Sequence, residues 1–241
     1  MKEIDILRLC KNAFSDLCVM DYEQSREKVY LSGQLIFPMT NHFENTIFKD
    51  RISEQELRVL FIDQFKENYK KFFYSIETPT NKKYFFGKIL EKFELTGQSA
   101  SIDMCIFKRD SDKFERILNV EFKSQNVKIE HVAKDILKLI VEPRDGVLIH
   151  LLHRTNRGTF RNENETGVFD KYYKSFNMFQ HYWKDEKLIH LIVLSLDEKI
   201  LIHREIKKDD LNNINGIFFK EISCGNIKEI RGNGWTSATI V

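Results

Sequence analysis

Residues 101–123, Ser101 to Lys123, read SIDMCIFKRDSDKFERILNVEFK, and they decide the fold. Ile102, Met104 and Ile106 alternate with Ser101, Asp103 and Cys105. Leu118, Val120 and Phe122 alternate with Asn119, Glu121 and Lys123. Period two marks a half-buried strand, so the stretch predicts two strands joined by a charged turn near Asp112. In an antiparallel pair centred there, Asp103 lies opposite Glu121. In any register of that parity the even-numbered apolar residues share one face, and Asp103, Glu121 and Lys123 share the other. Two adjacent carboxylates repel, and a single lysine is one counter-charge, so a divalent cation held by Asp103 and Glu121 completes the group.

An aspartate followed on the next strand by Glu-x-Lys, here Asp103 and Glu121-Phe122-Lys123, resembles the catalytic motif of the PD-(D/E)XK nuclease superfamily. Ile102 stands where the name-giving pattern has proline. Glu-x-Lys alone carries little information; its specificity comes from the order of the surrounding elements. The resemblance implies an α/β restriction-endonuclease-like core (α-β-β-β-α-β), a mixed β-sheet flanked by helices. It also implies hydrolysis of phosphodiester bonds of DNA, in restriction, repair or genome defence. Mg²⁺ or Mn²⁺ would be held by Asp103, Glu121 and the backbone carbonyl of Phe122. Lys123 would position the attacking water or accept its proton. The alternative is a nucleic-acid-binding or protein-interaction module that uses the same fold without cleavage.

The flanking sequence carries periodicities of its own. Ile4, Leu7, Cys10, Phe14, Leu17 and Cys18 predict an amphipathic helix over residues 2–20. Residues 28–37 read as a strand or hairpin broken at Gly33, followed by a segment in which His42 and Glu44 read as loop residues. Ser53-Glu54-Gln55-Glu56 has the form of a capping box and opens a helix to about Phe73. In the superfamily a glutamate from this helix often joins the metal site, and Glu56 is the candidate by position, although capping accounts for it without catalysis. Pro79 and Asn81-Lys82-Lys83 predict a turn between short aromatic strands. Glu77, which interrupts the first of these, rivals Glu56; it is equally the polar member of an edge strand. Gly97 reads as a breaker before the hairpin.

After Lys123, residues 127–141 predict a helix with Ile129, Val132, Ala133, Ile136 and Ile140 inward and Pro143 just past its end. Gly146 opens VLIHLLH, a run suited to an interior strand, and the crossover rule makes it parallel to the strand before the helix. Arg154, Arg157 and Arg161 follow in a loop; they are candidate phosphate contacts, with a solvated loop as the other reading. Residues 169–183 predict an aromatic helix, LIHLIVLSL-DEK-ILIHREI a hairpin, and the tail a last strand beside a Gly232-Asn233-Gly234-Trp235 turn.

A chain of 241 residues with 42% hydrophobic side chains and few Gly or Pro excludes disorder and supports one domain over 1–241. The core spans about 53–154, with an N-terminal helical extension, 1–52, and a C-terminal hairpin extension, 155–241. A net charge of +2 gives no long-range pull on a polyanion, so a nucleic-acid surface is a local patch. A homodimer or partner subunit that brings two sites together is compatible with double-strand cutting. Cys10, Cys18, Cys105 and Cys224 have no metal-ligand spacing and suit buried thiols in a reducing, cytoplasmic setting. No uncharged run of membrane-spanning length occurs, and phosphate-binding glycine loops, Gly-x-Ser-x-Gly and His-Glu-x-x-His are all absent.

Overall fold

The computed structural model describes residues 3–37, 39–40, 49–50, 52–87, 89, 93–156, 158–184, 186–218, 227–230 and 232–240. In chain order the elements are α1 (Ile6–Met20), β1 (Met39–Thr40), β2 (Lys49–Asp50), α2 (Glu54–Asn68), β3 (Phe72–Phe85), β4 (Glu94–Asp110), β5 (Lys113–Ser124) and α3 (Ile129–Val141). They continue with β6 (Asp145–Leu152), α4 (Val168–Phe179), β7 (Ile189–Ser195), β8 (Ile200–Ile206), α5 (Ile214–Phe218) and β9 (Thr236–Thr239). Strands β3 to β9 form one seven-stranded mixed sheet in sequence order. Its central pairs, β5–β6 and β6–β7, are parallel, and the others are antiparallel. The protein is therefore an α/β fold with helices on both faces of a mixed sheet, as expected, and α2-β3-β4-β5-α3-β6 follow one another in the expected order.

Both faces are covered, which is why β6 reads as an apolar run interrupted after Gly146 only by His150. On one face Val120, Phe122, Val147, Ile149 and Leu151 pack against Leu9, Phe14 and Leu17 of α1 and Leu57, Phe61 and Phe65 of α2. Phe61 meets Phe122 edge-on, ring centroids 5.5 Å apart. On the other face Leu148, Leu152, Leu191 and Val193 pack against Ile136 and Ile140 of α3 and Phe169, Tyr172 and Phe176 of α4. Gly146 lets α3 pack close to the sheet: a Cβ there would lie 3.1 Å from the Leu139 side chain. The C-terminal residues complete the same sheet through β7–β9, with Trp235 stacked on Phe169. Among the described residues no helix is long and apolar enough to cross a membrane.

Local signals set the helix ends. Asp5 caps α1 by accepting from the Arg8 N–H at 2.9 Å. At α2, Ser53 and Glu56 form the reciprocal box the sequence predicts, and the helix ends at Asn68 rather than Phe73.

Three expectations are corrected. Residues 28–37 form turns and irregular chain after a π-helical extension of α1, Asp21–Glu27, that ends at Lys28 with φ 57°. Pro79 and Asn81-Lys82-Lys83 do not separate two strands: β3 continues through them. Between the pairs Pro79↔Ser101 and Lys83↔Ser99, β3 advances four residues while β4 advances two, and the surplus forms a bulge. The buried Glu142 carboxylate accepts the Asn81 and Lys82 N–H groups at 2.7 and 2.9 Å, so the freed backbone is satisfied. Pro79 is tolerated because β3 is an edge strand. Gly97 does not break β4; its φ of +94° lets the strand continue where a Cβ would lie 2.9 Å from the Tyr84 carbonyl oxygen. His42, Glu44, Arg157 and Cys224 lie outside the described residues.

Candidate active site

The β4–β5 hairpin does not keep one register. From its turn the pairs run Asp110↔Lys113 to Phe107↔Arg116; then Ile117 is inserted, and pairing resumes as Ile106↔Leu118, Cys105↔Asn119 and Met104↔Val120. Because side chains alternate, one extra residue exchanges the two faces of everything beyond it. Met104, Ile106, Leu118, Val120 and Phe122 consequently face α1 and α2, while Asp103, Glu121 and Lys123 are turned toward α3.

The ladder ends at Met104↔Val120. Just beyond it the Asp103 carboxylate accepts the Phe122 N–H at 2.7 Å (Oδ2). Phe122 thus contributes a donor that fixes the aspartate. Burial pushes the Asp103 pKa up, the Phe122 N–H counteracts it, and the nearby Asp135 carboxylate adds to the rise.

Glu121 is 0% exposed, a rare position for a carboxylate. The Lys138 ammonium lies 2.5 Å from its Oε1, and Oε2 has no hydrogen-bond partner among the described residues. Burial, then repulsion from Asp135, holds the Glu121 pKa well above the ordinary carboxylate range, against the pull of Lys138. Lys138 also lies 3.0 Å from Asp135 Oδ1 and donates to the Ser101 carbonyl at 2.8 Å. Lys123 is paired with Asp135 Oδ2 at 2.6 Å. Burial disfavours its ammonium, but the Asp135 ion pair outweighs burial and raises the pKa. Two carboxylates, Glu121 and Asp135, and two ammonium groups therefore interlock within electrostatic reach of Asp103, with α3 supplying Asp135 and Lys138 one turn apart.

The other predicted residues divide. Glu77 falls in register between Ile76↔Met104 and Thr78↔Ile102, beside Asp103 on the neighbouring strand. With φ 48° and a side chain 55% exposed, it accepts from Arg58 at 2.9 Å and from the Ser101 hydroxyl at 2.8 Å. Burial opposes its ionisation, but those bonds prevail and lower its pKa. Arg58 Nη1 is also 3.9 Å from Asp103 Oδ1, so Glu77 forms the rim of the cluster. Glu56 is not brought to the acids: its Oε2 accepts both the Ser53 N–H, at 2.7 Å, and the Ser53 hydroxyl, at 2.6 Å. The α2 glutamate that reaches β5 is Glu54, which accepts from the Ser124 hydroxyl. Arg154 is exposed just past β6, and Arg161 lies 4.0 Å from Asp170 in the following loop.

Sequence reasoning missed Asp135, Lys138, Arg58 and Glu54. In sequence Asp135 and Lys138 stand beside Glu130 and Lys134 among the charged residues of an amphipathic helix, and only their burial in the folded chain sets them apart.

His150, level with Lys123 on β6, takes no part as a ligand. Its ring nitrogens bond Tyr172 Oη at 2.9 Å and the Gln125 carbonyl at 2.6 Å, and burial lowers its pKa to about 4.

Comparison of the chain with protein-family models, with curated proteins and with solved structures finds no match.

Proposed function

We propose that this chain is a metal-dependent nuclease on a restriction-endonuclease-like core, with the Asp103–Glu121–Lys123 cluster as its active site. One observation carries the proposal: a fully buried Glu121 carboxylate whose Oε2 is unpartnered among the described residues, beside the partly buried Asp103. Burying charge without compensation is costly, and a hard dication suits an all-oxygen donor set. Asp103 Oδ1, Glu121 and the Phe122 carbonyl are the groups that would hold Mg²⁺ or Mn²⁺. When bound, such an ion lowers the pKa of water and stabilises charge on phosphate oxygens.

The chain's own residues account for the rest. The Phe122 N–H holds Asp103 in place, and Arg58 steadies the opposite side of the same carboxylate. Lys123, kept as an ammonium by Asp135, orients water and offsets the charge that builds on the phosphate. It becomes a proton acceptor when a nearby dication weakens that preference for the charged form. Arg154 and Arg161 are the candidate contacts to the nucleic-acid backbone, DNA by the resemblance.

A second reading, a nucleic-acid-binding or protein-interaction module without cleavage, draws on Lys138. Its ammonium already offers the acids a counter-charge.

Incubation of plasmid, single-stranded DNA and RNA with Mg²⁺ or Mn²⁺ tests the proposal. Cleavage by the wild type and its loss in Asp103→Ala and Lys123→Ala are expected. Cleavage that persists in both variants refutes these residues, and inertness toward every substrate favours the second reading.

A further inference from the structure

Three donors converge across the β7–β8 hairpin on the sheet face turned away from Asp103 and Glu121. His190 is paired with Glu205, and Ile192 with His203, so both histidines and Glu205 project from the face that carries Ile192 and Leu194. His190 Nδ1 lies 3.0 Å from His203 Nε2 and 3.9 Å from Glu205 Oε1. One ligand atom from each residue falls within 4.8 Å of the others. Both rings are buried, while the Glu205 side chain is 50% exposed and gives the group a route to solvent.

A tetrahedral ion with bonds of roughly 2.0–2.1 Å places its donor atoms about 3.3 Å apart. The observed separations straddle that value. A hydrogen bond between two neutral rings explains the 3.0 Å contact, but it gives the Glu205 carboxylate, 3.9 Å from the same His190 nitrogen, no role. A cation draws all three donors into one coordination sphere. Two imidazoles and a carboxylate select a borderline ion of the Zn²⁺ class, whereas the oxygen-only cluster on the other face suits Mg²⁺. Asp145 adds negative charge on the His190 side, and Lys11 of α1 opposes it on the His203 side.

The geometry points to a site for Zn²⁺ or a similar transition-metal ion formed by His190, His203 and Glu205, clamping β7 to β8. Three protein donors leave one tetrahedral position for water. The site is independent of the nuclease proposal.

Titration of the full chain with Zn²⁺ and with Co²⁺ in a large excess of Mg²⁺, which saturates the oxygen cluster, tests it. One equivalent of Co²⁺ should bind with visible d–d absorption, and Zn²⁺ should displace it and raise the unfolding midpoint. His203→Ala should abolish this binding, and Glu205→Gln, at a half-exposed position that the fold tolerates, should weaken it about tenfold or more. Asp103→Asn should leave it unchanged. Absence of saturable binding by the wild type, or binding equally tight in Glu205→Gln, overturns the site; so does loss of the Co²⁺ signal in Asp103→Asn alone.

Discussion

Ile117 stands as one surplus residue between Arg116, paired with Phe107, and Leu118, paired with Ile106, and this insertion turns Glu121 to the face of Asp103. Without it, Glu121 and Lys123 would point at Phe61 and Phe65, and Val120 and Phe122 at the charged side of α3. Deleting Ile117 should therefore abolish cooperative unfolding, whereas Ile117→Ala, at a partly buried position, should cost about 1–2 kcal/mol. Circular dichroism with thermal melts compares the two. A deletion variant as stable as the alanine variant would show that the face assignment does not matter to the fold.

Glu121→Gln should trade function for stability. A carboxyl whose folded pKa is raised contributes stability fully at pH values below its unfolded pKa and loses it as pH rises through the folded pKa. As pH rises the metal-free wild type therefore loses stability that a glutamine at 121 keeps, and the variant should melt progressively higher relative to it, by about 2–4 °C for each kcal/mol relieved. Cleavage should disappear. A melting difference between the two metal-free proteins that does not change with pH contradicts this.

Lys138→Met removes the ammonium shared by Glu121 and Asp135. Stranding buried carboxylates costs about 3–5 kcal/mol, so the variant should be markedly destabilised without divalent cations. Its melting temperature should climb more steeply with added Mg²⁺ than that of the wild type. Equal Mg²⁺ responses would separate Lys138 from the cation's place.

Asp135→Asn tests positioning rather than contact with substrate. Burial disfavours the Lys123 ammonium and the Asp135 ion pair outweighs it, so neutralising Asp135 should lower the Lys123 pKa. The limb of the pH–rate profile assigned to Lys123 should shift toward lower pH. A merely structural Asp135 would lower the rate at all pH values and leave that limb in place.

His150 predicts an acid-sensitive fold. Its pKa falls from 6.5 to about 4 through burial, so the stability it contributes is full above 6.5 and is lost as pH falls toward 4. That window carries about 3 kcal/mol at most. His150→Gln should flatten the decline in unfolding free energy across it, measured by denaturant titration at several pH values. An unaltered slope would assign the decline to other groups.

Much of this was legible in sequence because it rests on local periodicity. The alternation in residues 101–123 gave the face shared by Asp103, Glu121 and Lys123, and the apolar run after Gly146 gave a covered parallel strand. The sequence did not show how the parity was achieved, since a bulge leaves no composition mark at Ile117. Pro79 and Gly97 read as breaks because turn chemistry is local, whereas the side chain that rescues the β3 bulge, Glu142, is 61 residues from Asn81. Asp135 and Lys138 looked like the polar side of an amphipathic helix; their ion pairs to β5 exist only once α3 is laid on the sheet.

The bulged strand β3 has a further consequence for behaviour in solution. It forms one border of the sheet, and the other is β9, four residues long. A neighbouring molecule trying to extend the sheet by adding a strand meets a proline and a displaced backbone at one border and too short a template at the other. Strand addition at the β3 border is thereby confined to its regular half, Phe72–Ile76, where Phe73, Tyr74 and Ile76 are exposed.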